Sequence, residues 1–123
     1  MPVFTEGRHA AEFIMHEQEN TYCREGITIG ASQSIVAGTV LGKVTATSAH
    51  VVLAPAAEDG SEDVAGIAIY PATTGVGSNA EIAGLVRGPA IVNGNLLTWP
   101  AGITTPQMTA ALAQLEALGI LVR

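Results

Sequence analysis

The 123-residue sequence predicts a mainly β fold with one C-terminal helix: a small barrel- or sandwich-like body preceded by an extended N-terminal arm. Three observations carry this reading. After Glu25, short β-branched and aliphatic runs recur at close spacing between glycines and prolines. Near the C-terminus, Met108, Leu112, Leu115 and Leu118 repeat at helical spacing, with Ala111 beside them. The first 25 residues share neither pattern, yet they hold Phe4, Phe13 and Tyr22, three of the five aromatic residues, with Tyr70 and Trp99 the other two.

Residues 1–25 mix apolar pairs with charges. A helix over Ala10–Gln18 is compatible with composition, but Phe13-Ile14-Met15 is a consecutive run and not a 3.6-residue stripe. The stretch reads either as an arm that orders on a partner or as an ordinary first strand and loop. The arm is the preferred reading, because aromatics at a chain end need a surface to cover them. Residues 26–123 then form a single β-rich domain.

In that domain Ile27–Ile29, Gly38–Thr45, Val51–Leu53, Val64–Tyr70, Glu81–Val86, Ala90–Val92 and Leu96–Trp99 read as strands. Asn93-Gly94 is a tight-turn signal, since both residues tolerate positive φ. The helix is expected near 105–118, with Thr105 as N-cap, Pro106 in the first turn and Gly119 in the left-handed position that ends it. Ile120–Val122 is a final extended piece. No repeat and no low-complexity linker divides the chain.

Composition narrows the function classes. Charged residues make up 13% and hydrophobic ones 48%, which suits a domain with a core. Net charge is −6, and the five basic residues, Arg8, Arg24, Lys43, Arg87 and Arg123, are scattered. Nucleic-acid affinity rests on neutralising phosphates, so direct nucleic-acid binding is not expected, nor is attachment to an anionic membrane surface. Cys23 is the lone cysteine, so no intrachain disulfide forms. Acidic residues early in the chain argue against a signal peptide, and no run reaches the ~18 apolar residues of a membrane span. A soluble protein is expected.

Several constellations resemble chemistry and fall short. Gly75-Val76-Gly77-Ser78-Asn79-Ala80 has dinucleotide-loop spacing, but strand-like residues follow it where a helix should bind the pyrophosphate. Gly30-Ala31-Ser32-Gln33-Ser34 lacks the second glycine of a nucleophile elbow. Asp59, Ser61 and Asp63 begin like a calcium loop, but Val64 stands where glycine is required and Tyr70 where the bidentate Glu belongs; a solvated hairpin tip at Asp59-Gly60 is expected instead. His9, His16, His50 and Cys23 are too dispersed for zinc. Lys43 lies within a strand-like run, where a carrier domain would place its modified lysine at a tight turn. No catalytic, cofactor-binding or metal-ligating residue is therefore assigned, and no enzyme is expected. The rival readings are a small β-barrel carrier or enzyme with a loop site near Gly75 or Lys43, and a host-side binding module that docks through its arm.

The residues themselves resemble a known family. Pro2-Val3-Phe4-Thr5-Glu6-Gly7-Arg8-His9 with Phe13-Ile14 resembles the opening of the lambda-type bacteriophage head decoration proteins. Ala37–Thr45 is similar to the family's middle motif, and Asp59–Glu62 followed by Ala65-Gly66-Ile67 to its acidic hairpin. Leu97-Thr98-Trp99-Pro100-Ala101-Gly102-Ile103-Thr104 and the ending Leu118–Arg123 resemble its C-terminal part. The match runs in order along almost the whole chain and is weakest over Tyr70–Asn95.

The resemblance implies a β-clip type domain that forms a homotrimer at local three-fold sites on the outside of the expanded phage head and reinforces it against packaged DNA. It implies the major capsid protein as partner and the virion surface as location, with the host cytoplasm during assembly. Pro2, Val3, Phe4, Thr5, Phe13 and Ile14 are then the expected capsid-binding arm residues, and Trp99-Pro100 a structural motif.

Overall fold

A computed structural model of the chain describes residues 12–17 and 23–123. The strands are β1 (Ile14–Glu17), β2 (Arg24–Ile29), β3 (Ser34–Ile35), β4 (Val40–Lys43), β5 (His50–Val52), β6 (Val64–Ala68), β7 (Ala72–Thr73), β8 (Ala80–Leu85), β9 (Ala90–Val92) and β10 (Ile120–Val122). An α-helix, α1 (Thr105–Ala117), follows a 3-10 turn at Gly94–Leu96. The mainly β fold with a C-terminal helix is as expected.

Five strands close into a barrel in the order β2-β5-β4-β6-β8, with β8 pairing back onto β2. The β2–β8 seam is long and antiparallel, from Arg24↔Leu85 to Ile29↔Ala80. The β2–β5 seam is parallel and held at a single register position, Ile29↔His50. Outside the barrel, β9 lies between antiparallel β1 and parallel β10, while β3 and β7 form a two-stranded ribbon.

Alternation along the barrel strands sends side chains to two cores. Val40 and Ile67 join the larger cluster, which also takes Phe13, Val92, Leu115 and Ile120 from β1's approach, the outer sheet and the helix. Their neighbours Leu41 and Ala68 point the other way, into the barrel, and join Ile27 and Ile29. A five-strand barrel has a narrow interior, which explains why the body uses small aliphatic residues and few aromatics. At Gly42 the constraint is absolute. A Cβ there would lie 2.7 Å from the Ser61 carbonyl carbon and 2.8 Å from its Cα.

The helix begins one residue earlier than expected. Thr104, not Thr105, is the N-cap. Its hydroxyl accepts from the Gln107 backbone N–H at 3.3 Å, and the Gln107 side chain accepts from the Thr104 N–H at 3.0 Å, a reciprocal capping box that Thr105 has no partner to make. Replacing Thr104 with Ala should cost about 1 kcal/mol in chemical denaturation, and Thr105→Ala much less. Gly119, at φ +86°, ends the helix as expected, with its N–H on the Glu116 carbonyl. Ala111 and Leu115 are buried, and Leu112 and Leu118 pack half-buried against the larger cluster, so the leucine stripe is core. Gln114 fastens the helix to the barrel. Its Oε1 accepts from the Val64 N–H at 2.9 Å and its Nε2 donates to Asp63 at 2.8 Å.

Four local expectations are corrected. Ile14–Glu17, inside the candidate helix Ala10–Gln18, is a strand, because its backbone pairs with β9. Leu96–Trp99 is not a strand; it contributes one bridge, Thr39↔Thr98. Asn93-Gly94 does not form a hairpin turn. Asn93 keeps φ −85° and its side chain accepts from the Asn95 N–H, capping the 3-10 turn. Asp59-Gly60 lies in a loop between β5 and β6, but these strands flank β4 and do not pair with each other, so the loop is no hairpin tip. It folds back instead. The Thr45 N–H donates to the Asp59 carbonyl at 2.8 Å, and buried Ser61 donates to Asp59 Oδ1 through both its backbone N–H and its hydroxyl.

Candidate functional site

Three of the stretches that carry the family resemblance, Phe13-Ile14, Ala37–Thr45 and Leu97–Thr104, lie far apart in sequence and meet at one place. Gly38 stands at the centre. Its carbonyl accepts from the Thr98 N–H at 2.9 Å, and the Thr98 carbonyl accepts from the Val40 N–H at 3.0 Å, so the Leu97–Trp99 stretch is stitched to the entry of β4. A Cβ on Gly38 would stand 2.6 Å from the Leu96 carbonyl oxygen and 3.7 Å from the Phe13 ring, and its φ of +93° suits glycine alone. Thr39, 3% exposed, turns the chain here, with its hydroxyl donating to the Val36 carbonyl at 2.8 Å.

The first of those stretches enters through Phe13. Its ring is 1% exposed and belongs to the larger core, and its carbonyl accepts from the Asn93 N–H at 2.7 Å. Ile14 is half-buried against the same core and lies opposite Val92, while Met15 faces outward at 59% exposure. Phe13 and Ile14 were expected in the capsid-binding arm. In this fold both serve the domain's own core, because β1 pairs with β9 and carries them inward. Pro2, Val3, Phe4 and Thr5 lie outside the described residues. Phe13 and Ile14 thus fix the start of the described fold, which is called the root below.

Trp99 and Pro100 are both half-buried, and Trp99 packs against the larger core. They stand between the stitched Thr98 and the helix cap at Thr104. On the far side of β1, Arg24 closes the connection to β2, with Nη2 2.6 Å and Nε 3.0 Å from Glu17 Oε1. That hydrogen-bonded carboxylate holds the guanidinium's pKa above its ordinary value.

Residues 75–79 form an exposed loop with Val76 at 95% exposure, and the Gly75 carbonyl simply accepts from the Ser32 N–H. Lys43 is exposed at the end of β4, opposite His50. Among the described residues no three His, Cys, Asp or Glu side chains assemble as a metal-ligand set, and no helix is long and apolar enough to cross a membrane.

The residues that assemble the root, Gly38, Thr39, Asn93 and Thr98, were not named as site residues by sequence reasoning. Asn93-Gly94 gave a turn signal, but the pairing of segment 38–40 with segment 96–98 is long-range and leaves no periodicity. In comparison with known families, the model described as bacteriophage lambda head decoration protein D matches residues 3–120. No curated protein matches the chain significantly.

Proposed function

Because the chain belongs to the bacteriophage lambda head decoration protein D family, it is a structural protein of the phage head, and we propose that it acts there as a homotrimeric clamp on the outer face of the expanded shell. Trimers seated at local three-fold sites reinforce the shell against the pressure of packaged DNA. Each reaches the host cytoplasm free and is captured by the major capsid protein once the shell has expanded.

The observation that carries this reading is the arm root. The described fold begins where Phe13, Gly38 and Thr98 are locked together, so a preceding segment that reaches a partner would start from a fixed base. Eleven extended residues span up to about 40 Å, well beyond a domain radius of gyration of roughly 13 Å. Pro2, Val3, Phe4 and Thr5 add a strand to a sheet edge of the capsid protein, with Val3 and Phe4 in pockets. Each large apolar side chain, fully buried, contributes roughly 1.5–3 kcal/mol, while fixing each backbone residue costs about 1–2 kcal/mol. One arm thus binds weakly. Three arms on one trimer raise the effective concentration and bind firmly.

Co-sedimentation with expanded empty capsids tests this, with the full chain and a variant lacking residues 2–11. The deletion stops short of Phe13 so that the core stays intact. The full chain should co-sediment, and the variant should remain folded but bind at least tenfold less. Equal binding by both excludes the arm mechanism, and a monomer by light scattering at micromolar concentration excludes the trimer.

A further inference from the structure

We propose that His50 is an acid-sensitive latch at which the barrel opens along its β2–β5 seam. Three features of the geometry meet at this residue. First, the β2–β5 seam is the shortest in the barrel, one register position at Ile29↔His50 followed by the Gly30 N–H on the His50 carbonyl at 2.9 Å. Second, the His50 side chain is 7% exposed and its Nδ1 is buried with no hydrogen-bond partner. Third, the residue directly across from it on β4 is Lys43, which makes no ion pair among the described residues.

His50 stands at one mouth of the barrel. The recess there, about 380 Å³, is lined from every barrel strand or the residue just past it, including Ile27, Ala65 and Val86. The charged groups around it are Glu25 from β2, Lys43 from β4 and Arg87 after β8. Glu25 is the rim's single carboxylate, and Arg87 Nη2 already binds it at 2.5 Å. A proton on His50 therefore meets a cation across the ladder, an apolar wall beneath, and a carboxylate engaged elsewhere.

Burial first and Lys43 second hold the His50 pKa below its ordinary 6.5, with Glu25 opposing weakly. The closed seam thus favours neutral His50 more than an open one does. Between the ordinary value and the lower closed-state value, the open form binds more protons. Closure is most favoured above pH 6.5 and weakens as the pH falls through the closed-state value. The rest of the barrel has no such group. The β2–β8 seam is six register positions long, so the opening stays local to β2–β5.

Residue-resolved hydrogen exchange on the full-length protein, corrected for intrinsic rates, tests the latch between pH 7.5 and 5.0. Protection of the Gly30 amide should fall relative to the amides of β6 and β8. The fall should vanish in His50→Gln and shrink in Lys43→Met, where the repulsion is relieved. An NMR titration of His50 in the folded protein should show a midpoint below 6.5. Uniform loss of protection across β6 and β8, an unchanged fall in His50→Gln, or a His50 midpoint at or above 6.5 overturns the latch. Should His50→Gln fail to fold, the comparison of wild type with Lys43→Met decides, and equal falls in the two overturn it.

Discussion

Replacing Phe13 with Ala should lower the unfolding free energy by about 3–5 kcal/mol, measured by urea or guanidinium denaturation. Small domains hold about 5–15 kcal/mol in total, so the loss is a large share of what there is. The reason is where the ring lies. It is among the largest fully buried side chains of the described fold, in the cluster where the barrel, the outer sheet and the helix meet. Truncation leaves a cavity between elements that are each anchored elsewhere, so they cannot collapse to fill it. Met15, two residues on and 59% exposed, is the control, and Met15→Ala should change stability by no more than about 0.5 kcal/mol. An arm residue that acted only on a partner would give the reverse result, with full stability in solution and weaker capsid binding. Unchanged stability in Phe13→Ala would sink the assignment of this residue to the core.

The second large effect is expected at Gly42. An alanine Cβ would collide with the backbone of Ser61, and the neighbour is no flexible side-chain tip that could swing aside. Ser61 is buried, its carbonyl accepts from the Ala54 N–H at 3.0 Å, and Asp59 holds both its N–H and its hydroxyl. Relief of the clash requires the 58–63 loop to move off β4 and break those bonds. Overpacking of this kind costs about 3 kcal/mol, and the buried polar groups left unpaired add to it. Gly26→Ala is the matched control. It too lies in a barrel strand, but a Cβ there meets nothing within 4 Å. It should be neutral or slightly stabilising, by up to about 1 kcal/mol, since alanine restricts the unfolded chain. Equal thermal shifts in the two variants would show that close approach at Gly42 is not what requires glycine.

The contrast between these two glycines shows what a sequence can and cannot announce. Gly26 and Gly42 look alike as letters between β-formers, and only the return of a distant loop tells them apart. Helix α1 was legible because its signals are local: a proline in the first turn, leucines at period 3.6, a glycine at the end. Even so, the cap was displaced by one residue, since Thr104 and Thr105 differ only in whether a glutamine stands three positions on. Most barrel strands were legible for the same reason, through β-branched runs between turn residues.

What failed was long-range. Strand β1 exists because β9 offers it a pairing edge, and β3 and β7 are two-residue strands that nothing but each other defines. Asn93-Gly94 gave a hairpin signal, yet Asn93 spends its side chain on a 3-10 turn. The burial of Phe13 and Ile14 was not legible, because consecutive apolar residues after a charged opening look the same whether they cover a partner or enter their own core. Trp99-Pro100 was recognised as a motif, but its role beside Thr98 and Gly38 required the fold. The family itself was readable from the residues, since a resemblance compares whole stretches and does not need to know what they touch.

Ile14 and Val122 both lie opposite Val92, on either side of β9. Two strand spacings, about 10 Å, separate them. The chain therefore enters and leaves the described fold at neighbouring points on one sheet, so joining Arg123 to the segment that precedes Phe13 closes a ring without straining the sheet. Reopened at the exposed loop 75–79, such a circular permutant keeps every strand pairing around β9 while residues 2–11 are tethered at both ends. Whether an arm must be a loose terminus or may work as a tethered loop thus becomes a question of connectivity, separable from composition.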